Sequence, residues 1–330
     1  MTIPVLIDTD PGIDDALALL VALSSPELSV EAISTVAGNV DVERATINLF
    51  RVLEVARPAR RPRVAKGAAA PLQRPLVSAG HVHGADGLGD LGQFREMDGR
   101  PRYPEVTHAL EMLDGADLIL DAAGRFAGTL VVVALGPLTN LATALRRDGR
   151  RLAQVGRIVV MGGAVAVPGN VTPAAEFNFY VDPEAAALVL GWAGENRVPL
   201  DLVPLDVTRQ VMLRRRPLEA RLASCPRCLA RFIADFTAYG FRAHDVSTAD
   251  GIALHDPLAV AAAVEPALLG FEAMRVEVET EGRITRGLSL ADRRAVRPHV
   301  KQPANCRVAV SVDPSRALAF VLERVCPASA

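Results

Sequence analysis

The sequence predicts an α/β fold: a single domain built on a mostly parallel open sheet flanked by helices, with a small β-hairpin near its C-terminal end. Three observations carry this. Half of the 330 residues are hydrophobic and 22% are charged, a composition able to bury a large core. Short β-branched runs alternate with helical periodicity through the first two-thirds, the pattern of parallel strands joined by crossover helices. The last third switches to two neighbouring runs of period 2.

Taken in order, the strand runs are Ile3 to Ile7, Val30 to Val36, Leu130 to Ala134, Arg157 to Met161 and Pro199 to Val203. Helices are expected at Asp14 to Leu23, Val42 to Ala56, Thr107 to Phe126, Leu138 to Arg146 and Pro183 to Leu190. The Arg/Pro cluster Arg57 to Arg63 reads as an exposed loop. Beyond it come a helix from Leu222 to Phe241 and a helix led by His255. The runs Met274 to Glu279 and Ile284 to Leu290 alternate as a hairpin, and a strand and helix fill Arg307 to Val325. No repeat or linker divides the chain, so residues 1–330 are expected to form one domain.

Lys and Arg number 36 against 38 Asp and Glu, a net charge of −2, and no long basic run stands out. Nucleic acid and anionic membrane are therefore not the expected partners. The longest apolar runs, Ala16 to Leu23 and Pro257 to Val264, fall well short of the roughly 18 residues a membrane span needs. Asp8 and Asp10 interrupt the first apolar run before it could serve as a secretory signal, so the protein is expected in the cytoplasm. Four cysteines agree with a reducing compartment. The one close pair, Cys225-Pro-Arg-Cys228, lacks a second pair or a nearby His and reads as ordinary thiols.

Polar residues gather just past the carboxyl ends of the expected strands. Asp8 and Asp10 follow the first, Gly38-Asn39 the second, Gly136 to Asn140 the third, Gly162-Gly163 to Asn170 the fourth and Asp206 the fifth. Open parallel sheets bind ligands along that edge, so five distant segments should converge on one pocket. The densest is Asp8-Thr-Asp-Pro-Gly-Ile-Asp-Asp15. Asp8 and Asp10 point the same way at a strand end. Asp14 and Asp15 open the next helix, where capping explains one carboxylate and not four. Four neighbouring carboxylates need a cation or strong donors, and no Lys or Arg lies close in sequence. A hard, oxygen-liganded ion such as Ca²⁺ or Mg²⁺ is the natural partner.

This segment resembles the N-terminal signature of the nucleoside hydrolases, the inosine-uridine-preferring N-ribohydrolases. Further similar segments follow in order: Ala37-Gly-Asn-Val40, His83-Gly-Ala-Asp-Gly-Leu88, Leu135-Gly-Pro-Leu-Thr-Asn140, Met161-Gly-Gly163, Gly169-Asn170, Ala175-Glu-Phe-Asn178, Asp182-Pro-Glu184, Asp206-Val-Thr208 and His255-Asp-Pro257. The resemblance implies a Rossmann-like core, hydrolysis of ribonucleosides to free base and ribose, and a homo-oligomer, dimer or tetramer.

It also implies roles. One Ca²⁺ would be held by Asp10, Asp15 and Asp256 and the main-chain carbonyl of Leu135. Asp14, Asn39, Asn170, Glu176 and Asn178 fall where the family holds the ribose hydroxyls, and Asp10 where it has the base that deprotonates the attacking water. Asp8 would orient its neighbours. Phe177 faces either the core or the sugar. Cleavage passes through an oxocarbenium-like transition state at C1′, which carboxylates stabilise. A 2′-deoxy substrate would leave ribose-binding groups unsatisfied, so ribonucleosides should be strongly preferred.

The leaving base needs a proton, and His is the side chain suited to give it. His255, beside Asp256, is the expected acid; His83 is the expected base contact, with His81 its neighbour, and His108, His244 and His299 read as surface or structural. Phe236, Tyr239 and Arg242 could reach the base, although Phe232 and Phe236 at helical spacing suit a core. Trp192, the one tryptophan, lies outside every pocket segment, which favours broad or pyrimidine-leaning use. Two other readings compete. Asp8-Thr-Asp10 superficially suggests an aspartyl-phosphate phosphatase, but Pro11 and Asp14-Asp15 do not fit that pattern. A non-catalytic nucleoside-binding member of the same fold would not need Asp10, Glu176 and His255 intact.

Overall fold

The computed structural model describes residues 2–244, 251–294 and 302–327. In chain order its strands are β1 (Ile3–Thr9), β2 (Leu28–Thr35), β3 (Arg63–Lys66), β4 (Val131–Ala134), β5 (Arg157–Met161), β6 (Leu200–Val203), β7 (Met212–Leu213), β8 (Ile252–Ala253), β9 (Leu269–Met274), β10 (Val276–Val278), β11 (Ser289–Ala291) and β12 (Cys306–Val312). Its α-helices are α1 (Ile13–Ser24), α2 (Val42–Ala56), α3 (Gly80–His83), α4 (Gly115–Arg125), α5 (Thr139–Leu152), α6 (Phe177–Val181), α7 (Pro183–Asn196), α8 (Leu205–Thr208), α9 (Arg215–Leu222), α10 (Arg227–His244), α11 (His255–Val264) and α12 (Pro314–Val325).

Eight strands form the main sheet in the order β3-β2-β1-β4-β5-β6-β12-β9. All neighbours are parallel except β12 and β9. The expected α/β class and open parallel sheet are thus present, and so is the C-terminal hairpin, in which β10 pairs antiparallel with β11. Strand order reverses between β1 and β4, and a crevice opens at such a reversal, outside the carboxyl ends of the strands. Asp8 pairs with Ser34 on one side and Ala134 on the other, so the acidic segment leaves the sheet at that reversal.

One face of the sheet packs on α1, α2, α10, α11 and α12, and the other on α4, α5 and α7. Helix α1 is buried from Ile13 to Ala22, which is why, beyond Asp14 and Asp15 in its first turn, it is apolar on every side as far as Leu23. Asp41, Asp182 and Asp313 cap α2, α7 and α12 through backbone amides, and Pro183 and Pro314 occupy first-turn positions where a missing N–H costs nothing. Among the described residues no helix is long and apolar enough to cross a membrane.

Four expectations are corrected. The helix expected from Thr107 starts only at Gly115, because the Asp114 side chain accepts from the Asp117 amide and caps it there, while the Glu111 amide bonds to the Val64 carbonyl. The helix expected from Leu222 to Phe241 is two helices, with Pro226 between α9 and α10. The Arg57 to Arg63 loop ends in an edge strand, β3, whose Arg63 is paired with Glu111 and Asp121. Cys225 is no free thiol: it forms a disulfide with Cys326, joining the chain ahead of α10 to the end of α12 across 101 residues. That bond removes the cysteine argument for a reducing compartment. Cys228 is free and exposed.

Candidate active site

A cavity of about 270 Å³ opens at the strand-order reversal. Its walls include Asp14, Asn39, His83, Leu135, Asn170, Glu176, Phe177, Asn178, His255 and Asp256. Segments spread from residue 14 to residue 256 are brought together as the carboxyl-edge pattern requires.

At its floor the carboxylates of Asp14, Asp15 and Asp256 lie within 4.8 Å of one another, all buried. Asp14 and Asp15 occupy the first turn of α1 and Asp256 that of α11, so two positive helix ends face the cluster and favour its negative charge. Asp15 accepts from the Thr9 hydroxyl at 2.5 Å, the Gly12 amide at 3.0 Å and the Asn39 side-chain amide at 3.0 Å. Asp10 stands beside this group: its Oδ2 accepts from the Asn39 amide at 2.7 Å, while Oδ1 is buried with no hydrogen-bond partner among the described residues. Gly38 and Gly136 let the backbone close on it, since a Cβ at either would collide with the Asp10 carboxylate. Asp8 lies deeper, its Oδ1 held by Ser34 at 2.6 Å and Asn140 at 2.7 Å.

Burial pushes these acids up. Asp8 rises to about 6, and Asp14, with Asp15 beside it, to about 7. Asp10 and Asp256 rise well above the ordinary range, through burial first and then through their acidic neighbours. An unpartnered buried oxygen, oxygen donors on the clustered aspartates and no Lys or Arg among the described lining residues form a set that fits a hard cation. The cluster could hold a metal ion.

The polar wall is equally fixed. Glu176 caps α6, taking the amides of Gly163, Asn178 and Phe179 at 2.9 to 3.2 Å; burial still raises its carboxyl against those bonds. Asn178 donates to the carbonyls of Leu135 at 2.6 Å and Met161 at 3.2 Å, which leaves its Oδ1 for an incoming hydroxyl. Phe177, half-buried, lines the cavity. His83 Nδ1 accepts from the Ile13 amide at 3.1 Å, and His255 Nδ1 meets the Thr208 hydroxyl at 2.7 Å.

Not every expected residue arrives. Asp206 does not line the cavity; its carboxylate takes the amides of Val165 and Ala166. Asn140 is buried behind the site, on Asp8 and the Thr35 carbonyl. Phe236 is core, edge-on to Phe232 at 5.1 Å, and Tyr239 and Arg242 lie off the wall; α10 contributes Gly240 instead. Trp192 is buried on α7, away from the cavity. His108 stacks edge-on against Phe50, a structural place. His299 and the side chain of His244 lie outside the described residues. The sequence reading missed Val82, Val171, Ile252 and Ala253 on the wall. Val82 and Val171 adjoin named residues, but Ile252 and Ala253 reach the cavity only through the β7–β8 pairing.

The family described as inosine-uridine preferring nucleoside hydrolase matches residues 5–319. The chain belongs to this family. A nucleoside hydrolase was the expectation from the motifs, and the whole fold agrees. A pyrimidine-specific ribonucleoside hydrolase, RihA, of Salmonella paratyphi B is 37% identical over 88% of this chain and 89% of its own length. A plant nucleoside hydrolase structure, PpNRh1, superposes with a TM-score of 0.87 at 34% identity, covering 99% of this chain and 100% of that one. A purine-preferring ribonucleoside hydrolase from Gardnerella vaginalis gives 0.85 at 30% identity, covering 98% of each. Similar nucleoside hydrolases thus differ in the base their names specify.

Proposed function

We propose that this nucleoside hydrolase cleaves the N-glycosidic bond of ribonucleosides with water, leaning toward pyrimidines, and that it holds Ca²⁺ while doing so. The observation that carries the reading is the convergence of Asp14 and Asp256, with Asp15 clustered against them, and of Asn39, Glu176 and Asn178 on one cavity. Asp10, Asp15, Asp256 and the Leu135 carbonyl would hold the ion. Bound there, Ca²⁺ supplies positive charge that offsets the carboxylates and lowers the pKa of the attacking water.

The chain's own groups divide the remaining work. Asp10 keeps Oδ1 without a partner, the atom suited to take the proton of the water. Asp14, Asn39, Asn170, Glu176 and Asn178 bind the ribose hydroxyls and fix C1′ relative to it. Glu176 also places negative charge where the sugar ring becomes positive. His255 gives a proton to the departing base. The Ile13 amide on Nδ1 of His83 puts that ring's proton on Nε2, so His83 meets the base as a donor. Phe177 packs against the sugar.

A wall of Val82, Val171, Ile252, Ala253 and Gly240, with no Trp among the described lining residues, offers a small apolar slot without purine stacking planes, and the pyrimidine-specific relative supports that leaning. One sheet that takes β1 and β12 from opposite ends of the chain supports a single domain, and the family likeness supports a homo-oligomer. A panel of nucleosides with free base detected tests the reading. Turnover of uridine above that of inosine is expected; release of base from none would overturn it.

A further inference from the structure

Residues 206–209, in and just after α8, line no part of the cavity, yet Thr208 meets His255, which does, and Asp206 and Arg209 hold the loop leading to Asn170, which also does. Asp206 takes the Val165 amide at 2.9 Å and the Ala166 amide at 2.8 Å. Arg209 donates to the carbonyls of Pro168 and Gly169, each at 2.7 Å. These four bonds grip both ends of the loop that runs directly into Asn170. Thr208, fully buried, places its hydroxyl 2.7 Å from His255 Nδ1 at the start of α11. A single helical turn therefore joins the loop of a ribose-binding residue to the ring beside Asp256.

We infer that Thr208 and Arg209 are positioning residues for hydrolysis: Thr208 fixes the plane and tautomer of His255, and Arg209 fixes the loop that presents Asn170. The inference rests on the function proposed above. As the C1′–N bond breaks, its electrons stay with the base nitrogen, which takes the proton from His255 Nε2. The imidazolium becomes the neutral ring protonated on Nδ1, and the Thr208 hydroxyl accepts from Nδ1–H before and after. The hydrogen bond thus survives the transfer and costs no reorganisation. Arg209 works differently. Its planar fork spans two successive carbonyls, a geometry that Lys cannot reproduce.

The test compares wild type, Thr208→Val, Thr208→Ser, Arg209→Ala and Arg209→Lys on uridine and on 4-nitrophenyl riboside, whose leaving group needs no proton. Thr208→Val should lower kcat on uridine by ~10-fold or more with KM little changed, spare the nitrophenyl substrate, and be rescued by Thr208→Ser. Arg209→Ala and Arg209→Lys should raise KM on both substrates by ~10-fold while kcat moves less. Equal losses on both substrates for Thr208→Val, or wild-type kinetics for either set, would overturn the inference. Should Thr208→Val fail to fold by circular dichroism, the Ser variant and the Arg209 pair decide it: wild-type KM in both Arg209 variants counts against the inference. Failure of wild type to hydrolyse uridine or inosine is a separate result, and it removes the functional reading itself.

Discussion

Stripping metal from this protein should make its stability fall as pH rises, opposite to the usual acid denaturation. Asp14 is raised from 3.8 to about 7 and Asp8 from 3.8 to about 6, burial being the main cause for both. The folded chain therefore holds protons that the unfolded chain has released. Stability from such groups is full below the unfolded value of 3.8 and is lost as pH climbs through 6 and 7. Between about pH 5 and about pH 8 the loss is roughly 3 kcal/mol from Asp14 and roughly 1 kcal/mol from Asp8. For a chain of this length, that is a drop in Tm on the order of 6 °C. Surface carboxylates paired with arginine, such as Glu111 and Asp114, have lowered values and contribute fully across this window, so they do not mask the trend. Ca²⁺ should reverse the picture, because it binds the ionised carboxylates and only in the folded state. The assay is a thermal melt at a series of pH values, in chelator and in excess Ca²⁺. The gap between the two curves should widen as pH rises; a constant gap, or a chelated protein that gains stability toward pH 8, would refute the reasoning.

Three further outcomes are expected. Asp256→Asn should weaken metal binding at least ~100-fold, read by elemental analysis of the purified protein, and lower turnover with it. His255→Ala should cut turnover of uridine by ~10²- to 10⁴-fold while retaining most of the rate on 4-nitrophenyl riboside; equal losses would move the acid role elsewhere, His83 first. Deoxyuridine, lacking the 2′-hydroxyl, should react roughly 10⁴-fold more slowly than uridine, measured as kcat/KM, because the ribose-binding groups would be left unpaired.

How far the sequence carried depends on whether a feature is local. The strands β1, β4 and β5 are legible because a buried parallel strand is mostly an apolar run, and β5 matches its expected span of Arg157–Met161; β2 and β6 show through their β-branched and aliphatic residues despite Glu31 and Asp201. The acidic segment is legible because four carboxylates in eight residues have no other economical explanation in a folded chain. What escaped depends on pairing between distant residues. β3 has four residues, opening on Arg63 and closing on Lys66, and only the neighbouring β2 makes it a strand. β9 is half-exposed and owes its place to β12, an antiparallel edge on a parallel sheet. Cys225 and Cys326 carry no spacing signature across 101 residues.

The same distinction separates the two kinds of polar residue in the motifs. Asp10, Asp14 and Asn39 could be named from their place along the chain, since a polar group at the carboxyl edge is costly unless it serves a ligand or a neighbour, whereas Glu176, Asn178 and Asp256 were named only through the resemblance to the nucleoside hydrolases. Which of those two it serves cannot be read locally. Asp206 and Asn140 satisfy the same pattern as Asp10 and Asn178, yet their hydrogen bonds are spent on the Val165 and Ala166 amides and on Asp8. Bonds already made do not decide it alone: Asp15 and Glu176 each accept three hydrogen bonds and still sit in the acidic cluster or on the cavity wall, whereas Asp8 keeps Oδ2 without a partner among the described residues and lies behind the site. Contact with the cavity or with the acidic cluster, which only the folded chain reveals, is therefore what distinguishes residues placed to meet a ligand from those that hold them in position.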